Sequence, residues 1–340
     1  MSRGLEPIRR VLSRAARPAA LLALALLASC GGGDRVSTFR PTRMVVFGDE
    51  NNVIVGPSGS VVDVAGTTVT AQPGAKYTVN ALALNADGTP AGGLACSSNP
   101  LWFQVVAGLY GFGFAECNPY TGSAVAGFNF SRVGARVGDV AAQVTAANAA
   151  LGGFTGTDLV MVMVGQRDIL EAYANYPAQS DAAVVAAAEA AGRALGNQVN
   201  AIAAAGGKVL IATVPNQATT PFAYAQNLLS PERSGVLQRM SERFNAAMRA
   251  TIVNDGTKIG LVQADEQVQL IVNNQSIFGY VNGSSAACTT AAPLPNCTTS
   301  TLVPGATSAN YVWADDLHLN VDMHIRIGNI GSTRATNNPF

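Results

Sequence analysis

Charge is scarce in this chain. Asp, Glu, Lys and Arg make up 12% of its 340 residues, and the two signs cancel to a formal net charge of zero. With no global electrostatic pull, the chain is not built to bind nucleic acid or to dock on an anionic surface by charge. Aromatics are few, at 6%, while alanine and glycine abound, which favours close packing of helices on a sheet. Histidine occurs only twice, as His318 and His324, so imidazole chemistry is confined to two positions. No GxSxG elbow occurs, and neither GxGxxG nor GxxxxGK[ST] follows an expected strand. The sequence therefore predicts no phosphate cradle, cofactor or metal.

Long apolar runs are also missing. "AALLALALLA" (19–28) is too short to span a bilayer comfortably, and it follows a basic stretch carrying Arg3, Arg9, Arg10, Arg14 and Arg17. It ends in Leu27-Ala28-Ser29-Cys30 before "GGGD". This resembles a bacterial lipobox, which implies removal of residues 1–29, lipidation of Cys30 and a tether over 31–42. Gly31, rather than Asp, follows the cysteine, which by the same resemblance favours the outer membrane of the cell envelope. Four cysteines remain, in an oxidising compartment. They allow three pairings; the local one, Cys96–Cys117 and Cys288–Cys297, is preferred because short loops close easily.

What is present is alternation. "RMVVFG" (43–48), "DLVMVMVG" (158–165) and "GKVLIATVP" (207–215) are short, continuous apolar runs, suited to strands buried on both faces. "KIGLVQ" (258–263) and "FNFS" (128–131) are weaker candidates. Helices are expected over 180–205, capped by Ser180 and stopped by Gly206-Gly207, and over 231–254. In the latter, Leu237, Met240, Phe244 and Met248 share one face as core. Segment 275–312 reads as a long, disulfide-pinned loop near the active face. The pattern predicts an α/β fold, a three-layer α/β/α sandwich on a parallel sheet spanning 43–335.

The candidate site follows from order and spacing. Phe47-Gly48-Asp49 ends the first strand. "NFSRVGA" (129–135), "VMVGQRDIL" (162–170) and finally "YVWADDLHLN", with Asp315 three residues before His318, come after it. This succession resembles the SGNH/GDSL hydrolase family, in its exported esterase/lipase branch. The resemblance implies a flavodoxin-like fold and hydrolysis of carboxylic esters. Carried over residue by residue, it implies an oxyanion donor at Gly134 and a base at His318 oriented by Asp315. The family's serine nucleophile falls at Glu50, and the Asn of its third block at Arg167.

In the family those two side chains face each other across the oxyanion hole. Glu50 and Arg167 placed there are expected to form one charge-assisted pair. A carboxylate attacking an ester would give an anhydride, so the expectation is a remodelled site, weakly active or inactive on esters. Its ligand would be acyl, glycan or polyester in chemistry. The alternative is a hydrolase in which Glu50, His318 and Asp315 activate water, with Gly134 and Arg167 holding the oxyanion. Ser131 could stand in as nucleophile. A purely structural envelope protein would need no cleft.

Overall fold

The computed structural model describes residues 39–117, 124–253 and 256–337. Cys30 and the segment before residue 39 lie outside them. The strands are β1 (Arg43–Gly48), β2 (Ser60–Val62), β3 (Thr68–Thr70), β4 (Leu82–Leu84), β5 (Pro90–Leu94), β6 (Phe112–Phe114), β7 (Ala124–Asn129), β8 (Asp158–Met163), β9 (Lys208–Ala212), β10 (Ile259–Val262), β11 (Asn282–Ala286) and β12 (Tyr311–Trp313). The helices are α1 (Trp102–Tyr110), α2 (Val140–Leu151), α3 (Gln166–Tyr173), α4 (Asp181–Ala204), α5 (Pro221–Asn227), α6 (Arg233–Thr251), α7 (Ala264–Asn273) and α8 (Val321–Asn337). Among the described residues no helix is long and apolar enough to cross a membrane.

Six strands form one parallel sheet in the order β10-β9-β8-β1-β7-β6. Continuous apolar runs pay off here because side chains alternate between faces and both faces are covered. Met44 and Val46 of β1, with Leu159, Met161 and Met163 of β8, pack on one face against α1, α7 and α8. Val45 and Phe47, with Val160 and Val162, pack on the other against α2 to α6. The expected three-layer α/β/α sandwich is the fold observed. Leu237, Met240, Phe244 and Met248 of α6 are all buried, and Ser180 caps α4 through Ala183 N–H. Gly192 of α4 lets α6 approach so closely that a Cβ there would lie 2.1 Å from the Phe244 carbonyl oxygen.

Some elements differ from expectation. "FNFS" contributes only its first two residues to β7, which begins earlier, at Ala124. Segment 275–312 is not all loop: it holds β11 and the start of β12, which pair in parallel, and β12 leads into Asp315. Both disulfides take the local pairing, Cys96–Cys117 and Cys288–Cys297.

The order of helices matters for the site. β1 is followed by α1 on one face, whereas its neighbours β7 and β8 are followed by α2 and α3 on the other. Helix placement therefore changes sides at β1, and the C-terminal end of such a strand is where open α/β sheets bind ligands.

Candidate active site

β1 leaves the sheet through Gly48, whose φ is +141°. A Cβ there would lie 1.9 Å from the Met163 carbonyl oxygen, so only glycine fits. Gln143 of α2 holds this glycine from both sides, donating to its C=O at 2.9 Å and accepting from its N–H at 2.8 Å. Asp49 then caps a single 3-10 turn, Glu50–Asn52, accepting the Asn51 N–H at 3.1 Å.

The turn aims Glu50 at the loop after β7. Gly134, with φ of +74°, donates its backbone N–H to Glu50 Oε1 at 2.8 Å. The N–H expected to hold an oxyanion thus holds the carboxylate of this chain. Ser131, on the same loop, has a buried hydroxyl oxygen that makes no hydrogen bond.

The loop after β12 supplies the imidazole. Asp315 Oδ1 accepts the backbone N–H of Leu317 at 2.9 Å and of His318 at 2.7 Å. Its two oxygens lie 3.0 and 2.9 Å from His318 Nδ1. Tyr77 packs on the imidazole, ring centroids 5.6 Å apart.

Electrostatics follow from this crowding. Burial works against a charged His318. The Asp315 carboxylate, aided by Glu50 and Asp49, outweighs it and raises the imidazole to about 9. His318 is therefore imidazolium at neutral pH. Asp315 is destabilised by burial, but His318 and its hydrogen bonds hold it below the usual carboxylate range. Burial, then the charge of Glu50, pushes Asp49 up to about 7. Tyr77 is pushed up by burial and then by Glu50, Asp63 and Asp315.

Arg167 is placed differently from expectation. It lies in the first turn of α3, 51% exposed, and its Nε donates to Glu171 Oε1 at 2.7 Å. Glu171 also takes Arg136 Nη1 at 3.1 Å. The Glu50–Arg167 pair is not formed; Glu50 is held by Gly134 and Arg167 by Glu171. A guanidinium pairs with a carboxylate one turn along a wet helix surface at little desolvation cost. Turning inward to Glu50 would mean giving up that hydration. Asp315 and His318 are brought together as expected, whereas the contact between Glu50 and Gly134 was not anticipated.

Sequence reasoning missed the residues that join these loops. Asn51 Nδ2 donates to Asp49 Oδ1 at 3.0 Å and to Gln166 Oε1 at 3.1 Å. Gln166 Nε2 continues to the Leu317 carbonyl at 2.9 Å. One amide chain thus ties the first, third and last motifs. Asn52 is anchored to the Phe47 and Met163 carbonyls at 3.1 and 2.8 Å and accepts Trp102 Nε1 at 2.6 Å. The signal in the sequence was only that Asn51 and Asn52 follow Glu50 and that Gln166 follows Gly165; an amide that becomes buried must find partners, but which ones is set by the fold. Among the described residues no group of three or more His, Cys, Asp or Glu side chains is placed to hold a metal ion.

The profile of the family described as GDSL-like Lipase/Acylhydrolase matches residues 103–330, which include Gly134, Arg167, Asp315 and His318. The chain belongs to the GDSL-like lipase/acylhydrolase family. The match begins after Glu50. No curated protein matches the chain. Similar solved structures include Axe2, an acetyl xylan esterase from Geobacillus stearothermophilus, at 13% identity and a TM-score of 0.42, covering 88% of this chain and 96% of that one. A lipase/acylhydrolase from Enterococcus faecalis is similar at 11% identity and a TM-score of 0.38, covering 85% and 93%. The activities named belong to those proteins.

Proposed function

We propose that this GDSL-like chain is an exported envelope protein, lipid-anchored through Cys30 and carrying a remodelled hydrolase site. The site is weakly active or inactive on carboxylic esters and binds a ligand of acyl, glycan or polyester chemistry. One observation carries the reading: the Glu50 carboxylate, where the family's serine is expected, already accepts the Gly134 N–H.

Three physical consequences support it. Attack by a carboxylate on an ester would expel an alkoxide to form an anhydride, an unfavourable exchange. The Gly134 donor that would stabilise a developing oxyanion is engaged in the resting state. His318, raised to about 9, already carries the proton that a general base must accept.

Hydrolysis of p-nitrophenyl acetate and butyrate, run beside fluorophosphonate labelling of the purified chain, tests this. Turnover near the buffer background and no stoichiometric label are expected. Turnover abolished by Glu50→Gln and by His318→Ala would establish the water-activating alternative. Stoichiometric label would reveal a reactive serine, with Ser131 the first position to map. Metabolic labelling with a radioactive fatty acid, compared with Cys30→Ala, tests the anchor.

A further inference from the structure

The sheet has a second place where neighbouring strands send their next helices to opposite faces. β9 is followed by α5 and α6, which pack on the same face as α2 to α4. Its neighbour β10 is followed by α7, which packs on the other face with α1 and α8. The C-terminal ends of such a pair are, as at β1, where open α/β sheets bind ligands. At a spacing of about 4.8 Å per strand, the two places are about 12 Å apart along the sheet edge.

A cleft of about 380 Å³ occupies this second place, between α6 and α7. That volume lies within the range of about 300–1,000 Å³ typical of ligand pockets. Its floor is rigid. Asn245 exchanges hydrogen bonds with Val214, accepting its N–H at 3.0 Å and donating to its C=O at 2.8 Å. Thr213 Oγ1 donates to Asp265 Oδ1 at 2.6 Å. Arg249 Nη2 reaches both Asp265 oxygens at 2.8 Å, so the deepest carboxylate is neutralised.

Above the floor the cleft is walled by carboxamides: Asn216, Gln269, Asn273 and Asn274, with Glu242 and Glu266 at its margins. Three of them are linked head to tail. Asn216 Nδ2 donates to Gln269 Oε1 at 2.9 Å, and Gln269 Nε2 donates to Asn273 Oδ1 at 2.9 Å. Each linked amide keeps hydrogen-bonding capacity beyond this chain, since a carboxamide has two N–H donors and two acceptor lone pairs. Leu270, 48% exposed, is the sole apolar side chain of the lining, and none of the lining side chains is cationic or aromatic.

This chemistry selects a ligand class. An anion finds no free cation there, and an apolar ligand finds one leucine. A hydroxyl group both donates and accepts, so a row of adjacent hydroxyls matches a row of pre-oriented amides and carboxylates. We propose that the cleft beyond β9 and β10 binds a neutral oligosaccharide. This site is separate from Glu50 and independent of whether esters are turned over.

The test is a titration of the ¹⁵N-labelled chain with cellohexaose, xylohexaose, maltohexaose and chitohexaose, with hexaethylene glycol as a control lacking vicinal hydroxyls. Saturable shifts of the Asn216, Gln269, Asn273 and Asn274 side-chain amides by at least one hexaose are expected. Asn216→Ala with Gln269→Ala should weaken that binding by about tenfold or more, equivalent to about 1.4 kcal/mol. Glu50→Gln should leave it unchanged, which separates this proposal from the reading of the site at β1. Asn273→Ala, exposed at the end of α7, carries the same test if the double variant fails to fold. The proposal is overturned if no hexaose shifts these amides at about 10 mM, well above a millimolar Kd. Equal shifts by hexaethylene glycol, or shifts confined to residues around Glu50 and His318, would overturn it too.

Discussion

Gly134 donates its backbone N–H to Glu50 across a separation of 84 residues, at 2.8 Å. Arg167 has no share in that contact; it is bound to Glu171. Glu50 and Arg167 therefore engage separate partners. The stability effects of Glu50→Ser and Arg167→Asn are expected to add within about 0.5 kcal/mol in urea unfolding of the singles and the double. Clear non-additivity would mean that the two side chains meet in solution. Glu50→Ser also frees Gly134 and sets a hydroxyl where the family's serine is expected. Its hydrolysis of p-nitrophenyl acetate should exceed that of the natural chain and rise with pH as His318 loses its proton. A flat profile at background would show that the rest of the catalytic apparatus is gone.

The direction of Arg167 marks the limit of what the sequence discloses. Motif order places Glu50, Gly134, Arg167 and His318 at one edge of the sheet, but says nothing of which way a long side chain turns. Glu171, four residues on in the same helix, was a visible competitor, and a local pair on a wet surface needs no burial. The same contrast runs through the fold. β1, β8 and β9 were legible because both their faces are buried, so the apolar run is unbroken. β6, Phe112–Phe114, was not: three residues carry no periodicity, and its identity as a strand depends on β7 beside it. The amide chain through Asn51 and Gln166 was hidden for another reason. Its members belong to different motifs and become partners only after the sheet has assembled.

His318 should titrate near 9, read by NMR from its ring carbon-bound protons. Asp315→Asn should lower that value by about a unit or more, because burial then acts with less opposition. Its folded value lies above the ordinary 6.5, so the proton stabilises the fold. That contribution is complete below about 6.5 and is lost as pH rises through about 9. Buried Lys76, lowered to about 7 by burial, acts in the opposite sense over much of that window. The measurement is therefore the difference in pH–stability slope between the natural chain and Asp315→Asn. Identical slopes would remove the pairing.

Gln166→Leu breaks the link between the first and last motifs. It leaves an Asn51 N–H and the Leu317 carbonyl without their partner. A loss of about 1–3 kcal/mol is expected in urea unfolding. The His318 ring signals should shift or broaden as well, because Leu317 is no longer held. A neutral effect would mean that water replaces the amide at no cost.

His324 gives the fold an acid limit. Both of its ring nitrogens are buried without a hydrogen bond. Burial, then the charges of His318 and Lys76, lowers it to about 3, against an ordinary 6.5. It stays neutral in the fold while the unfolded chain takes up a proton. Its contribution is present above about 6.5 and is lost as pH falls toward 3. His324→Leu should flatten the pH dependence of stability in that interval by about one proton. An unchanged slope would assign the acid sensitivity to the carboxylates.

An ester hydrolase ends each cycle with a carboxylic acid at its active site and must release it. Glu50 is such an acid, bonded to the scaffold and incapable of leaving. Held by its own chain, it stays within hydrogen-bond reach of the Gly134 donor. On the proposed reading, the resting site resembles the last step of a reaction, with the product in place. Any ligand that competes for Gly134 must first displace this resident group. A ligand with no negative charge, which can settle beside Glu50 without evicting it, has the easier entry.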